Sequence, residues 1–443
     1  MDKNSPQNQK SPLKKSDFLA KPLVENSARE SHEQSSEQRS DANGGAVDYS
    51  EKRAKGGKKY RANRVLVGLG VLGIVGGVTA GLLGVLMPRE MLPDLNFPIL
   101  PSQQKTAGVY SNLTSEALAS AELANAPAFC IQTPNGTDGA RPQVGLNQAG
   151  VVFEAIAESG ITRFAAIYQD PTSAVIGPIR SLRLYYLEWD TPFDCTIVHA
   201  GGADDALAKV RSGGYRDLTE NYSYMYRGSN RARLWNNLFT TAAYLKQMNE
   251  DRGYGGSQIK GFSRMTPEES LRARVDAGAE KLVITSPASG NTSEVKPAAS
   301  DVAVNFGGMP NFNVRYHYNT DSNTYARSFE SGAAHEVYVC PGENLGEKDP
   351  ESICELKQLA PSVVAVMEVE ERRAADGYHE DITTIGTGKA WVFQNGQAVV
   401  GTWTKGSAEE QIRFFNKSGE EIKLAPGQTF VEAVPTYGNV DWS

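Results

Sequence analysis

The sequence predicts an α/β or α+β domain followed by a mainly antiparallel all-β domain, both displayed outside a membrane on one N-terminal transmembrane helix. Three observations carry this reading. An uncharged apolar run, VLVGLGVLGIVGGVTAGLLGVLM, extends from Val65 to Met87. Apolar runs of strand length then alternate with capped helical segments from about residue 110 to 283. Beyond a Ser/Pro/Gly-rich stretch the apolar spacing changes to strict alternation, the period of a half-buried strand.

Residues 1–64 are rich in Ser, Lys, Glu, Gln and Asn and nearly free of aromatics. Such a segment cannot bury enough apolar surface to offset its chain entropy, so a disordered tail is expected. At about 1.5 Å per residue the Val65–Met87 run reaches the ~30 Å of a bilayer core. It lies too far from the N-terminus for a secretory signal peptide. Lys52, Arg53, Lys55, Lys58, Lys59, Arg61 and Arg64 crowd its N-terminal flank, whereas Arg89 on the other side is offset by Glu90 and Asp94. The positive-inside rule therefore puts the N-terminus in the cytoplasm and all that follows Met87 outside. Residues 88–109 are punctuated by proline and read as a stalk.

In the first domain, 110–283, SNLTSEALASAELAN reads as locally helical and APAFCIQT as a first strand. GVVFEAIAE and ITRFAAIYQ are strands flanking Ser159-Gly160, and VIGPIRSLRLYY is a further strand-like run. FDCTIVHAGG reads as a strand and ADDALAKVRSGG as a helix closed by paired glycines. LFTTAAYLKQMNE is a second helix. TPEESLRARVDAGA is a third, with Thr266 at the N-cap, Pro267 at the first helical position and Glu269 completing a capping box. The linker is placed at 284–300 and the β domain at 301–443. There, NFNVRYHYNTDSNTYARSF puts Phe312, Val314, Tyr316 and Tyr318 on one face of a hairpin, and Asn-Gly and Ser-Gly turns join the later strands.

All four cysteines, Cys130, Cys195, Cys340 and Cys354, fall in the exported part. An even count in an oxidising compartment points to disulfides. Cys340 and Cys354 bracket one loop and are expected to pair; Cys130 with Cys195 requires their two strands to be neighbours. With no CxxC, HExxH, EF-hand or GxSxG motif, no metal and no cofactor is expected. A net charge of −7 argues against a nucleic-acid partner. Ser293–Lys296 matches SxxK by chance, inside the linker.

The runs ARPQVGLNQAGVVFEAIAESGITRF, IGPIRSLRLYY, FDCTIVHAGG and NNLFTT resemble the N-terminal domain of the YerB-like putative lipoprotein family. GTGKAWVFQNGQAVVGTWTK and GEEIKLAPGQTFVEAVPT resemble that family's C-terminal domain. The resemblance covers about 110–437 and implies a membrane-attached, extracytoplasmic, two-domain protein with no established activity. The chain departs from the pattern by lacking a lipobox cysteine, and by having Asn236 where a histidine is expected before Asn-Leu-aromatic-Thr.

The residues that could carry chemistry are few. Arg141, Arg163, Arg180 and Arg183 lie among apolar residues, where each charge needs a partner. Converging guanidiniums would form an anion site. Alternatively, each pairs with Glu154, Glu158, Asp190 or Asp194 inside the domain. His199 ends a strand before paired glycines and a helix start, a common ligand position in α/β folds. It is read either as a core histidine or as a base acting with Glu154 or Glu158. NYSYMYRGSNRARLWNN mixes aromatics and arginines, which suits glycan contact. Three functions stay open: a cell-envelope binding module for an anionic or glycan ligand, a hydrolase or transferase acting on envelope polymers, and a structural or partner-docking ectodomain.

Overall fold

The computed structural model describes residues 108–229, 235–276, 299–342 and 349–443. The tail, the Val65–Met87 span with its orientation, most of the stalk, most of the linker and the SxxK match lie outside them. No helix among the described residues is long and apolar enough to cross a membrane.

The first half of the chain supplies β1 (Ala128–Pro134), then β2 (Val151–Glu158) and β3 (Ile161–Gln169). It continues with helix α1 (Leu184–Asp190), β4 (Thr196–His199), helix α2 (Asp204–Arg211) and β5 (Arg216–Thr219). The short strands β6 (Tyr226–Arg227) and β7 (Leu238–Phe239) precede helices α3 (Ala242–Asp251) and α4 (Pro267–Asp276). Glu158 and Ile161 are cross-strand partners, so Ser159 and Gly160 form a two-residue turn, both with positive φ (51° and 77°). That backbone suits the twist of the flanking strands.

Helix starts follow the expected chemistry. The Tyr244 N–H donates to Thr241 Oγ1 at 2.9 Å. At α4 the Thr266 N–H donates to Glu269 Oε2 (2.8 Å) and the Glu269 N–H to Thr266 Oγ1 (3.2 Å), a complete capping box. Thr266→Ala is expected to cost about 1 kcal/mol, seen as a lower urea midpoint with an unchanged slope; an unchanged midpoint would mean the box adds nothing.

Two local expectations are corrected. SNLTSEALASAELAN is not an α-helix: Ser111 Oγ takes the N–H groups of Leu113 and Thr114, Ser115 has φ 58°, and only a 3-10 turn forms at Glu122–Asn125. Such side-chain acceptance competes with helical hydrogen bonds. VIGPIRSLRLYY is extended only in isolated bridges, and its end enters α1.

The second half contributes β8 (Asp301–Asn305), β9 (Val314–Asn319), β10 (Thr324–Phe329), β11 (Glu336–Val339), β12 (Glu355–Gln358) and β13 (Val363–Val369). It ends with β14 (Glu371–Arg373), β15 (Glu380–Ile382), β16 (Gly386–Gln394), β17 (Gln397–Lys405), β18 (Arg413–Asn416), β19 (Thr429–Pro435) and β20 (Asn439–Trp442). Asn395-Gly396 turns β16 into β17, and β9 alternates as expected, with Val314, Tyr316 and Tyr318 inward.

The two halves share one ten-stranded sheet, in the order β18-β17-β16-β13-β19-β2-β3-β1-β4-β5. Its seam is β19, which runs parallel to β13 on one side and to β2 on the other, with Thr429 opposite Val151 and Glu432 opposite Glu154. One face packs Val151, Phe153 and Ala155 against α1, whose Trp189 stacks on Phe153 at 5.3 Å. The opposite face has two apolar regions. Val152, Phe164 and Phe430 join α3 through Leu245 and Met248. Ile156, Val364, Val366 and Val434 face a four-stranded sheet ordered β10-β9-β8-β20. The expected Cys340–Cys354 disulfide is present with a Cα–Cα distance of 4.7 Å, and Cys130 and Cys195, whose pairing the sequence left open, form a second at 5.7 Å. The second joins neighbouring strands, since Cys130 sits opposite Ile197 on parallel β4.

Candidate functional site

Strand alternation turns Glu154 to the face where those two apolar regions meet, directly beside Glu432 on β19. Two buried carboxylates on neighbouring strands repel unless one is neutralised. Arg327 of β10 supplies the counter-charge: one guanidinium NH2 bonds Glu154, while its Nε–H donates to Tyr316 Oη at 3.0 Å. Tyr316 in turn donates to Glu432. Burial, together with the Glu154 charge, lifts the Glu432 carboxyl well above its ordinary range, so Glu432 keeps its proton. Asn135 and Thr162 also donate to Glu154, at 3.0 and 2.6 Å. His335 links Arg327 to Gln143, and burial holds its imidazole neutral. This knot is fully enclosed; Arg327, Glu154 and Glu432 are each 0% exposed.

The sequence-selected arginines fall into three places. Arg163 and Arg183 meet at Glu158, the last residue of β2, beside a register shift that re-aims the strand end. Arg163 takes Oε1 and Arg183 takes Oε2, each at 2.6 Å. Their remaining NH1 groups donate to Ser181 O and Leu182 O. Burial would raise the Glu158 carboxyl, but the two guanidiniums hold it below its ordinary value. Arg141 lies elsewhere, its guanidinium over Phe329 at 4.0 Å and its Nε–H on Asn135. Burial pulls Arg141 down to about 10. Arg180 reaches the Trp235 carbonyl in a surface loop. The four therefore do not line one cavity.

His199 is buried, with Nδ1 2.6 Å from Gly201 O and Nε2 2.9 Å from Asp217 Oδ1. Both ring nitrogens face acceptors, one just past the end of its own strand and one on the neighbouring strand, and neither Glu154 nor Glu158 is among its partners. Asp194 pairs with Arg216 at 3.0 Å, and Asp190 receives Gln132 rather than an arginine. Asn236, at the position where histidine was expected, donates to Asp138.

A cleft of about 560 Å³ opens beside the Glu158 pair. Its walls are the start of α1, with Arg183 and Glu188, the start of α2, with Asp204 and Asp205, and the β14–β15 hairpin. The hairpin docks through a backbone bridge from His379 to Glu158. Its turn is held by Asp376, which accepts the N–H groups of Tyr378 and His379 at 2.9 Å and contacts His379 Nδ1 at 2.5 Å. Those bonds, the His379 N–H foremost, hold the Asp376 carboxyl well below its ordinary range. Glu188, Asp204, Asp205, Asp376, Glu380 and Asp381 line the cleft against Arg183, Arg372 and His379, so carboxylates predominate. Arg183 already spends two of its donors on Glu158 and Leu182. Exposed Tyr378 stands against His379 at the tip of the hairpin. Among the described residues no three His, Cys, Asp or Glu side chains are arranged to hold a metal ion.

Sequence reasoning found Glu158, Arg163 and Arg183 but missed the hairpin residues Glu371, His379 and Glu380, which fall in a hydrophilic stretch without a motif. A charge at an inward position of an alternating strand was the available signal for Arg327, Glu154 and Glu432.

Comparison with known proteins places this architecture. The N-terminal domain of the family described as "Protein of unknown function (DUF3048)" matches residues 113–255, and its C-terminal domain matches 302–431. The chain is 26% identical over 298 residues to "Putative lipoprotein YerB" of Bacillus subtilis (strain 168), covering 67% of this chain and 78% of that protein. A crystal structure of the YerB protein from Bacillus subtilis superposes with a TM-score of 0.56 at 23% identity, covering 75% of this chain and 99% of that one. This last likeness is one of fold.

Proposed function

Because this chain belongs to the DUF3048 family, carrying both of its domains in order, we propose that it is a membrane-anchored envelope protein whose cleft binds a glycan. Anchorage is supported by the Val65–Met87 run with its basic flank, by the two disulfides and by the lipoprotein name of the Bacillus relative. The basic flank supports an orientation with the folded part outside the cell. The observation that carries the ligand class is the charge of the cleft lining. Six carboxylates facing two arginines and a histidine accept hydrogen bonds from sugar hydroxyls and repel an anion. Exposed Tyr378, outside the lining but against its member His379, offers a ring next to the cleft on which a sugar face can rest. A neutral or cationic amino-sugar polymer fits, whereas a phosphorylated or uronic-acid polymer does not.

The test is calorimetric titration of the full chain in detergent with three tetrasaccharides: chitosan tetramer, chitotetraose and a hyaluronan fragment. Chitosan tetramer is expected to bind more tightly than neutral chitotetraose, with salt weakening only the former, and the uronic-acid fragment not at all. Tightest binding of the hyaluronan fragment would reverse the assignment, and no heat from any of the three would remove it.

A further inference from the structure

On the other side of the β14–β15 hairpin lies a second cavity of about 450 Å³, and Arg372 and Glu380 line both. The two cavities therefore adjoin at the hairpin. The β14–β15 register pairs Arg373 with Glu380 and Glu371 with Ile382, which puts Glu371, Arg373 and Glu380 on one face of the hairpin. Tyr437, from the turn before β20, donates to Glu371 Oε1 at 2.5 Å. Its ring lies against Gly307, where an added Cβ would stand 2.4 Å from Cδ2, so only glycine permits this approach. Glu371 Oε2 is shielded from solvent and has no hydrogen-bond partner among the described residues. Glu380 is held differently, with Arg373 NH1 3.0 Å from its Oε1.

These surroundings separate the two carboxyls. Glu371 meets Tyr437, Glu380 and Arg373 in this cavity and Tyr185 from α1. Burial dominates and pushes Glu371 up to about 7, while the Tyr437 hydrogen bond opposes the rise. Burial also nudges Glu380 upward, but the Arg373 charge opposes it and favours the carboxylate. One carboxylic acid and one carboxylate on a common face are the pair that glycosidic hydrolysis requires.

We propose that Glu371 and Glu380 are the general acid and general base of a glycoside hydrolase site acting on the glycan held in the adjoining cleft, an inference that rests on the glycan reading above. Glu371 gives its carboxyl proton to the leaving glycosidic oxygen as the acetal C–O bond breaks. Glu380 takes a proton from the water that forms the new C–O bond, and solvent exchange then restores both groups. One water is consumed and one reducing end appears per bond cleaved.

The experiment follows new reducing ends from chitosan tetramer and chitotetraose with the full chain in detergent, alongside calorimetric binding. Wild type is expected to release reducing ends at a rate that falls as pH rises through about 7, where Glu371 loses its proton. Glu371→Gln should lose roughly 100-fold or more in rate with binding and melting unchanged, and Glu380→Gln should lose as much in rate with weaker binding as well, because Glu380 also lines the binding cleft. Tyr437→Phe removes a bond that lowers the Glu371 pKa, so the falling limb should move to higher pH, which a merely structural role would not produce. Wild type that binds but releases no reducing ends overturns the hydrolase and leaves the glycan reading standing. Equal turnover by wild type and Glu371→Gln also overturns it. Absence of both binding and turnover removes both readings.

Discussion

Replacing Arg327 by methionine is expected to destabilise the folded chain by about 3–5 kcal/mol. Arg327 and Glu154 are both 0% exposed, and their ion pair is enclosed where the two apolar regions of one sheet face meet. Methionine fills most of the space, so the loss is electrostatic rather than a cavity. Without the guanidinium, Glu154 keeps Asn135, Thr162 and the neutral Glu432, none of which carries a positive charge, and Tyr316 and His335 lose a partner as well. Glu432, kept neutral, adds no second charge. Stranding one buried charge is far more costly than deleting the pair, so Glu154→Gln combined with Arg327→Met should recover much of the stability. Urea unfolding of the two single variants and the double variant decides this. A double variant that loses the sum of the single losses, or an Arg327→Met loss below about 1 kcal/mol, would mean the pair does not hold the seam.

The reason this seam was not legible in the sequence is topological. Each strand announced itself locally: VVFEAIAE and TFVEAVP are apolar runs, and Asn395-Gly396 and Ser159-Gly160 are turn signals. Which runs would be neighbours did not. β19 inserts between β13 and β2, pairing Thr429 with Val151 across most of the folded chain, and no short-range pattern encodes such a pairing. Helices with caps were legible for the opposite reason, since Thr241 and Thr266 act within three residues of themselves. The segment entering α1 was misread because a short apolar run carries no period that separates strand from helix.

The candidate site divides in the same way. Apolar flanks correctly marked Arg163 and Arg183 as charges in need of a partner, and Glu158 at the end of β2 provides it for both. Arg141 satisfied the same criterion by a different route, a neutral amide and two aromatic rings, so shared sequence context did not mean shared space. Glu371 and Glu380 stand nine positions apart in a hydrophilic stretch, and Tyr437 near the C-terminus. Only a short hairpin folded back on the end of β2 brings the three together.

Reduction is expected to reach the two disulfides in a fixed order. Cys340–Cys354 goes first under native conditions, and Cys130–Cys195 resists until the chain unfolds globally. Cys130 lies in β1, between β3 and β4, with no exposed surface, and Cys195 is 7% exposed. Both sit in the apolar layer that contains Trp189 and Phe193. A reductant thiolate can approach only when that layer opens, which is an event of the whole sheet rather than a local fraying. Cys354 instead lies half-buried at the edge strand β12 of a two-stranded ladder, where local opening is enough. The protected bond also constrains the unfolded chain more strongly. It spans 65 residues against 14, worth about 4 and 3 kcal/mol respectively in the chain-entropy relation. Once reduced, the chain should therefore unfold at a urea midpoint well below that of the oxidised form. Alkylation by iodoacetamide during dithiothreitol exposure, read by peptide mass spectrometry across a urea series, measures both effects. Labelling at Cys130 and Cys195 should track the tryptophan-fluorescence transition, while Cys340 and Cys354 label before it. Equal labelling of all four in native buffer would show that the central sheet opens locally, and would contradict the buried clamp between β1 and β4.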